Sequence, residues 1–226
     1  MSDVPLHAEE HHPFLQHHFE DMAQQHEAST LGMWMFLTTE ILFFGGFLCA
    51  YAVYRIMYYG AFQAGADHQN WRIGAANTIV LIGSSLTMAL AVWAAQLGRR
   101  NLIIIFLLLT LLLGGVFVGV KGYEYTQHYE EGLFPGTHFT YVDRAHPELT
   151  KGEELFMVFY FGLTGLHALH MIIGAGLLMW MISRAWRGHF GPDYYAPVEV
   201  MGLYWHFVDI VWIFLFPLLY LLHGPH

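Results

Sequence analysis

The sequence has little charge and almost no cysteine. Only 12% of its 226 residues are Asp, Glu, Lys or Arg, whereas about a quarter is usual for a soluble domain. There are nine Lys and Arg against 18 Asp and Glu, and the formal net charge is −9 at pH 7, so the basic surface typical of nucleic-acid binding is missing. The single cysteine, Cys49, excludes a disulfide within the chain. Hydrophobic residues make up 56% of the sequence, and this composition predicts a membrane protein.

Five apolar runs are long enough to cross a bilayer, since about 20 helical residues span its hydrocarbon core. We predict an all-α integral membrane bundle of five transmembrane helices, at about 31–54, 77–97, 102–120, 155–182 and 202–222. The predicted domains are a polar, His-rich cytoplasmic tail, 1–30, and a five-helix transmembrane domain, 31–226. No internal repeat is visible, which makes a transporter built from inverted repeats the weaker alternative.

The tail contains six histidines: His7, His11, His12, His17, His18 and His26. Histidine-rich tracts can bind metal, but neither cysteine nor a fixed ligand spacing supports a site here. We interpret the segment as a polar tail that docks on a neighbour.

Five spans put the two termini on opposite sides of the membrane. The short links after the second and fourth predicted spans carry two arginines each: Arg99, Arg100, Arg184 and Arg187. The positive-inside rule assigns these links to the cytoplasm. The N-terminus is then cytoplasmic and the C-terminus lies on the other side.

Ionisable side chains inside the spans are the candidate functional groups, because a charge at the bilayer centre costs roughly 2.5–3.5 kcal/mol on insertion scales. They are Glu40, His167, His170, His206 and Asp209, with Glu124 at a boundary. The two pairs spaced three residues apart share a helix face. Glu40 is either a neutral carboxyl hydrogen-bonded to a neighbouring helix or a proton-linked, reactive group.

Histidines in membrane helices can also ligate haem. A b-type haem needs two histidines from facing helices, which would be His167 or His170 with His206. A haem–copper centre needs more histidines than these three, and no Cys-x-x-Cys-His motif is present. A membrane b-type cytochrome is thus one hypothesis. The other is a packing subunit, in which His206 and Asp209 satisfy each other or a neighbouring helix.

Four motifs, in order along the chain, carry a resemblance to a known family. They are residues 39–47 (TEILFFGGF), 123–125 (YEY), 161–174 (FGLTGLHALHMIIG) and 204–212 (YWHFVDIVW). Together they resemble subunit III of haem–copper cytochrome c oxidases, over about residues 30–222.

The resemblance implies an integral-membrane subunit without redox centres of its own. Haem and copper would lie in partner subunits, and the partners would be the catalytic subunit I, subunit II, phospholipid and further respiratory-complex subunits. The complex would pass electrons from cytochrome c to oxygen and pump protons. Subunit III would support assembly, stability and proton uptake, in a bacterial-type inner membrane.

Residue roles follow from the resemblance in the same way. Glu40 would be the carbodiimide-reactive, proton-linked carboxyl, and no residue would be catalytic or bind metal. The buried polar contacts to lipid or to a neighbouring subunit would be made by His167, His170, His206, Asp209 and Glu124.

The chain departs from the family in length. Longer members have seven helices and a lipid-filled cleft, and this sequence begins at the equivalent of the third helix, so the cleft cannot form from this chain alone. Third subunits of quinol oxidases and accessory proteins of nitric-oxide reductases are also similar in length and stay as alternatives.

Overall fold

The computed structural model describes residues 15–142 and 146–221. These residues form six α-helices: α1 (Met22–Met57), α2 (Tyr59–Asp67), α3 (Trp71–Gln96), α4 (Arg100–Glu130), α5 (Thr150–Trp186) and α6 (Ala196–Tyr220). In the same residues, β-structure is limited to an isolated bridge between Gly191 and Tyr194. All helices except α2 are long and apolar enough to cross a membrane. The predicted all-α bundle of five spans is therefore confirmed.

The spanning helices start before the predicted spans. The α1 helix begins at Met22 rather than near residue 31, because the Asp21 side chain caps it and accepts a hydrogen bond from the Gln24 amide at 2.7 Å. Asn70 caps α3 in the same way. The α4 helix continues to Glu130, past the predicted end at residue 120. His7, His11 and His12 of the predicted tail, and residue 222 of the last span, lie outside the described residues.

The segment between the first two spans contains the short helix α2. Its buried residues recur at helical spacing: Ala61, Phe62, Gly65 and Ala66. They pack against α5, where Gly152 allows the close approach, since a Cβ at Gly152 would lie only 2.3 Å from the Ala61 Cβ.

The helices α3, α4, α5 and α6 form a ring in which each packs against two neighbours, so α4 lies diagonally across from α6. The α1 helix packs on the outside of this ring, mainly against α6. Much of its apolar surface is exposed, for example at Leu42 and Ile56. Such a surface is expected of a helix that faces lipid or a partner.

Trp205 of α6 fills the centre of the ring. Its indole packs against two glycines, Gly114 of α4 and Gly174 of α5, where an added Cβ would lie 2.9 Å and 3.0 Å from the ring. The indole N–H donates to the Ser84 hydroxyl of α3 at 3.1 Å. One side chain thus contacts all three other helices of the ring and fixes the rotation of α6, which carries His206 and Asp209.

Candidate functional site

Glu40 of α1 and His170 of α5 meet at the interface between their helices. The His170 Nε2 atom lies 3.2 Å from the Oε2 atom of Glu40. The other ring nitrogen, Nδ1, lies 2.9 Å from the carbonyl oxygen of Leu166. A carbonyl oxygen only accepts, so Nδ1 carries a proton and donates it. Nε2 then either accepts from a neutral Glu40 or donates to a carboxylate, and in both forms one proton is shared by the pair.

The Glu40–His170 pair lies near the edge of the bundle among apolar groups. The side chains of Glu40 and His170 are 18% and 13% exposed. The ring of Phe44, one turn from Glu40, lies 5.4 Å from the His170 ring, and the Tyr204 hydroxyl donates to the His170 carbonyl at 2.9 Å. The 3.2 Å distance fits both a neutral carboxyl that donates to the imidazole and a carboxylate that accepts from it. Such a pair can hold or release one proton inside the membrane.

His167 is directed elsewhere, although it lies only three residues from His170. Three residues leave about 60° between two side chains on a helix, and this angle separates the two partners. His167 points into the ring, where its imidazole lies 5.4 Å from the Phe117 ring and 5.2 Å from the Trp212 ring. Its two nitrogens are buried without a hydrogen-bond partner among the described residues. The two histidines therefore belong to different interfaces.

His206 and Asp209 of α6 line one cavity of about 250 Å³ between α3 and α6. The His206 Nδ1 atom lies 2.7 Å from the Ser85 hydroxyl oxygen, on α3. Both carboxyl oxygens of Asp209 are buried, and Asp209 has the same polar neighbour, Ser85, in this cavity. Of the two arrangements considered from sequence, His206 therefore uses the neighbouring helix rather than Asp209.

Glu124 belongs to a buried cluster with a lysine that the sequence prediction did not select. The Lys121 ammonium lies 2.9 Å from the Oε2 atom of Glu124 and 3.0 Å from the Tyr160 hydroxyl. The Tyr220 hydroxyl lies 2.5 Å from the same ammonium and donates to the Oε1 atom of Glu124 at 2.6 Å. The cluster joins α4, α5 and α6 at the end of the bundle where α6 terminates.

Aromatic rings enclose the Lys121 ammonium. Its Nζ atom lies between 4.9 and 5.5 Å from the centroids of Tyr125, Tyr160, Trp212 and Tyr220. Cation–π attraction compensates part of the cost of burying the charge. The prediction missed Lys121 because the charge was taken as the end of the third span. The spacing of Lys121 and Glu124, three residues apart, indicates an ion pair once α4 is continued.

A second polar contact outside the predicted set joins α4 to the segment after α2. The His128 Nε2 atom lies 3.0 Å from the Oε1 atom of Gln69. The Gln69 amide nitrogen lies 3.9 Å from the Met157 sulfur. Since an amide oxygen accepts, His128 donates through Nε2. Both His128 and Gln69 are buried, and neither follows from a local sequence pattern.

The histidines in the spans do not fit a haem held by two facing imidazoles. His167 is enclosed by Phe117 and Trp212, and His170 contacts Glu40. His206 contacts Ser85. Each occupies a different interface, and within the described ranges, 15–142 and 146–221, no three His, Cys, Asp or Glu side chains are grouped as a metal site would require. The three histidines are therefore placed at three different interfaces.

The sequence matches a known family over nearly its whole length. The sequence profile of the family described as cytochrome c oxidase subunit III matches residues 14–223. This range includes all four motifs that suggested the resemblance.

The individual relatives are named as third subunits either of cytochrome c oxidases or of quinol oxidases. The chain is 32% identical to the cytochrome c oxidase subunit 3 of Corynebacterium diphtheriae, over 84% of this chain and 86% of that protein. It is 31% identical to the cytochrome c oxidase subunit 3 of Thermostichus vulcanus, over 89% and 92%. It is also 31% identical to the probable quinol oxidase subunit 3 of Staphylococcus epidermidis, over 87% and 90%. The chain therefore belongs to the cytochrome c oxidase subunit III family and is the third subunit of a haem–copper oxidase.

Proposed function

We propose that this chain is a non-catalytic subunit of a proton-pumping oxidase in aerobic respiration. In this proposal, subunits I and II are its partners, and they hold the haem and copper. The chain itself contributes to assembly, to stability and to proton uptake by the catalytic subunit. Family membership over residues 14–223 supports the assignment to the complex.

The observation that carries the non-catalytic role is the separation of the three span histidines. His167, His170 and His206 contact three different sets of neighbours, on α4, α1 and α3 respectively. Two axial ligands for one haem would have to face each other. These side chains instead serve contacts between helices, which supports a structural use.

We propose a proton-linked role for Glu40 alone among the candidate residues. The carboxyl shares one proton with His170, and its partial exposure gives a hydrophobic reagent access to it. The other groups, His167, His170, His206, Asp209 and Glu124, are assigned to contacts with neighbouring helices, lipid or another subunit.

We also propose a cytoplasmic N-terminus in a bacterial-type inner membrane. Arg100, in the link after α3, donates to the carbonyl of Trp186 at the end of α5, and Gly98 lies against Pro192. Both arginine-containing links are therefore at the same end of the bundle, as the positive-inside rule requires. His26, near the start of α1, lies 3.5 Å from Glu199 at the start of α6. The start of α1 is therefore at the same end of the bundle as the two arginine-containing links.

We propose that cytochrome c is the electron donor of the complex. A quinol is the alternative donor, which the similarity to the staphylococcal quinol oxidase subunit favours. The test is purification through an affinity tag on this chain, followed by oxygen consumption with reduced cytochrome c and with a quinol. Oxidation of cytochrome c supports the first assignment. Oxidation of quinol alone supports the second, and a tagged chain that brings down no oxidase contradicts both.

A further inference from the structure

Aromatic rings and a carboxylate line a cavity of about 280 Å³ at the end of the bundle opposite the two arginine-containing links. The lining side chains come from α4, from the loop after it and from α5: Tyr125, Thr126, Tyr129, Glu130, Phe134 and Phe161. Within the described ranges, Glu130 supplies the charged group of this wall. The aromatic cavity formed by these residues opens to the surroundings of the bundle, since Tyr129 and Phe134 are 56% and 38% exposed.

The rings of the aromatic cavity form walls rather than a stack. The centroid of the Phe134 ring lies 5.0 Å from that of Phe161 with 60° between the planes, and 6.0 Å from that of Tyr129 with 67°. The Tyr125 ring lies 4.9 Å from Phe161, and its hydroxyl is held 2.5 Å from the hydroxyl of Thr164. Because neighbouring planes are steeply inclined, the rings bound a concave space from several directions.

The aromatic cavity lies at the level of the membrane surface. The α4 helix has 31 residues and is about 46 Å long at 1.5 Å per residue, whereas the hydrocarbon core is about 30 Å thick. With Arg100 at the opposite surface, the last turns of α4, which carry Tyr125, Tyr129 and Glu130, project beyond the hydrocarbon core. The cavity therefore opens among phospholipid headgroups.

Aromatic faces beside a carboxylate are suited to an organic cation. The face of an aromatic ring attracts an ammonium within about 6 Å of its centroid, and a carboxylate accepts hydrogen bonds from an ammonium that carries N–H groups. Single tyrosines at this depth are common, as members of the aromatic belt of membrane proteins. The aromatic cavity differs from a belt because rings from three segments surround one space, and because Glu130 adds a negative charge that disfavours an anionic headgroup.

We propose that the aromatic cavity binds the ammonium group of a zwitterionic phospholipid, of the ethanolamine or choline type. The phosphate of the same headgroup lies toward His138, whose ring is 5.8 Å from Tyr129 and 6.4 Å from Phe134 and whose imidazole supplies a hydrogen-bond donor. The inference goes beyond the proposed function, which assigns no ligand to these residues. It requires that the chain spans a membrane, and it is independent of the electron donor.

Photo-crosslinking in the purified complex identifies the occupant. The complex is placed in nanodiscs that contain phosphatidylethanolamine and phosphatidylglycerol in equal amounts and with identical acyl chains. A diazirine amino acid replaces Thr126, which lines the cavity. In a matched control it replaces Tyr123, which is 57% exposed one turn earlier on α4 and lies outside the cavity. Mass spectrometry of the labelled peptide then reports the headgroup.

The two positions should give different lipid adducts. At position 126, ethanolamine adducts should exceed glycerol adducts about fivefold, and at position 123 the two adducts should be equal. A fivefold excess corresponds to about 1 kcal/mol, within the range of a cation–π contact. Equal adducts at both positions would overturn the inference, and so would a crosslinked peptide of another subunit at position 126. Both of these outcomes would leave the proposed function standing, since that function is tested by co-purification with an oxidase.

Substitution of two neighbouring acids tests the role of the charge. Glu130→Gln removes the carboxylate from the cavity and should reduce the adducts at position 126 to nearly equal amounts. Glu131→Gln is the matched control, because it removes the same charge from the next residue, which lies 3.6 Å from His128, and it should keep the excess. Both glutamates are exposed, so the complex should purify intact in each case. An excess that survives Glu130→Gln, or that Glu131→Gln lowers equally, would overturn the inference.

Discussion

Lys121 and Glu124 lie one turn apart on α4, and their charged groups are 2.9 Å from each other with side chains that are each only 4% exposed. The hydroxyl of Tyr220 contacts both groups and so connects the pair to the last turn of α6. A buried charge is tolerated only beside its counter-charge. The packing of α4 against α5 and α6 at this point therefore depends on both Lys121 and Glu124.

Removing one member of this pair should be much worse than removing both. Lys121→Met or Glu124→Gln strands a buried charge and should lower the stability of the chain by about 3–5 kcal/mol. The double variant loses both charges and should recover a large part of that loss. The measurement is a denaturant titration of the purified complex followed through release of this chain. Glu130→Gln, at an exposed position, is the control and should have no effect. Additive single effects in the double variant would show that the two groups are not coupled.

Substitution by alanine should have opposite effects on stability at two neighbouring positions, Gly114 and Gly115. A Cβ at Gly114 would lie 2.9 Å from the Trp205 ring, whereas a Cβ at Gly115 has no atom within 4 Å. Gly114→Ala should therefore cost about 1–3 kcal/mol through overpacking. Gly115→Ala should be neutral or slightly stabilising, since alanine favours helix. Thermal unfolding of the two variants provides the comparison, and equal stability would contradict the packing described for Trp205.

Glu40 should be labelled selectively by a hydrophobic carbodiimide, because its carboxyl is partly exposed within the membrane-spanning part of α1, where such a reagent partitions. Peptide mass spectrometry locates the adduct, and Glu40→Gln should reduce labelling to background. His170→Phe serves as a second variant. It removes the imidazole and leaves the carboxyl among apolar groups, so labelling at Glu40 should persist. Labelling that survives in Glu40→Gln would contradict the assignment of Glu40 as the reactive carboxyl.

The number of spans and the type of fold follow from the sequence because lipid leaves few structural options. Each apolar run must satisfy its own backbone hydrogen bonds, so a run long enough to cross is a helix. The ends are harder to predict. The capping by Asp21 and the continuation of α4 through Lys121 depend on local contacts that hydropathy does not include.

Partners of the candidate residues could not be predicted, because they depend on how each helix is rotated in the bundle. His167 and His170 share a face by spacing, yet one contacts Phe117 and the other Glu40. The rotation is set by packing such as that of Trp205 against glycines on two other helices. No local sequence pattern contains this information. The motif match selected the positions and the structure supplies their contacts, whereas the roles assigned to them stay predictions.

The proposal that the redox chemistry lies in partner subunits is tested by following haem during dissociation of the complex. The tagged complex is purified, its reduced-minus-oxidised visible spectrum is recorded, and this chain is then released by detergent and recorded alone. We expect all haem absorbance to stay with the partner subunits. Haem absorbance that remains with the released chain would contradict this expectation and restore the membrane cytochrome hypothesis.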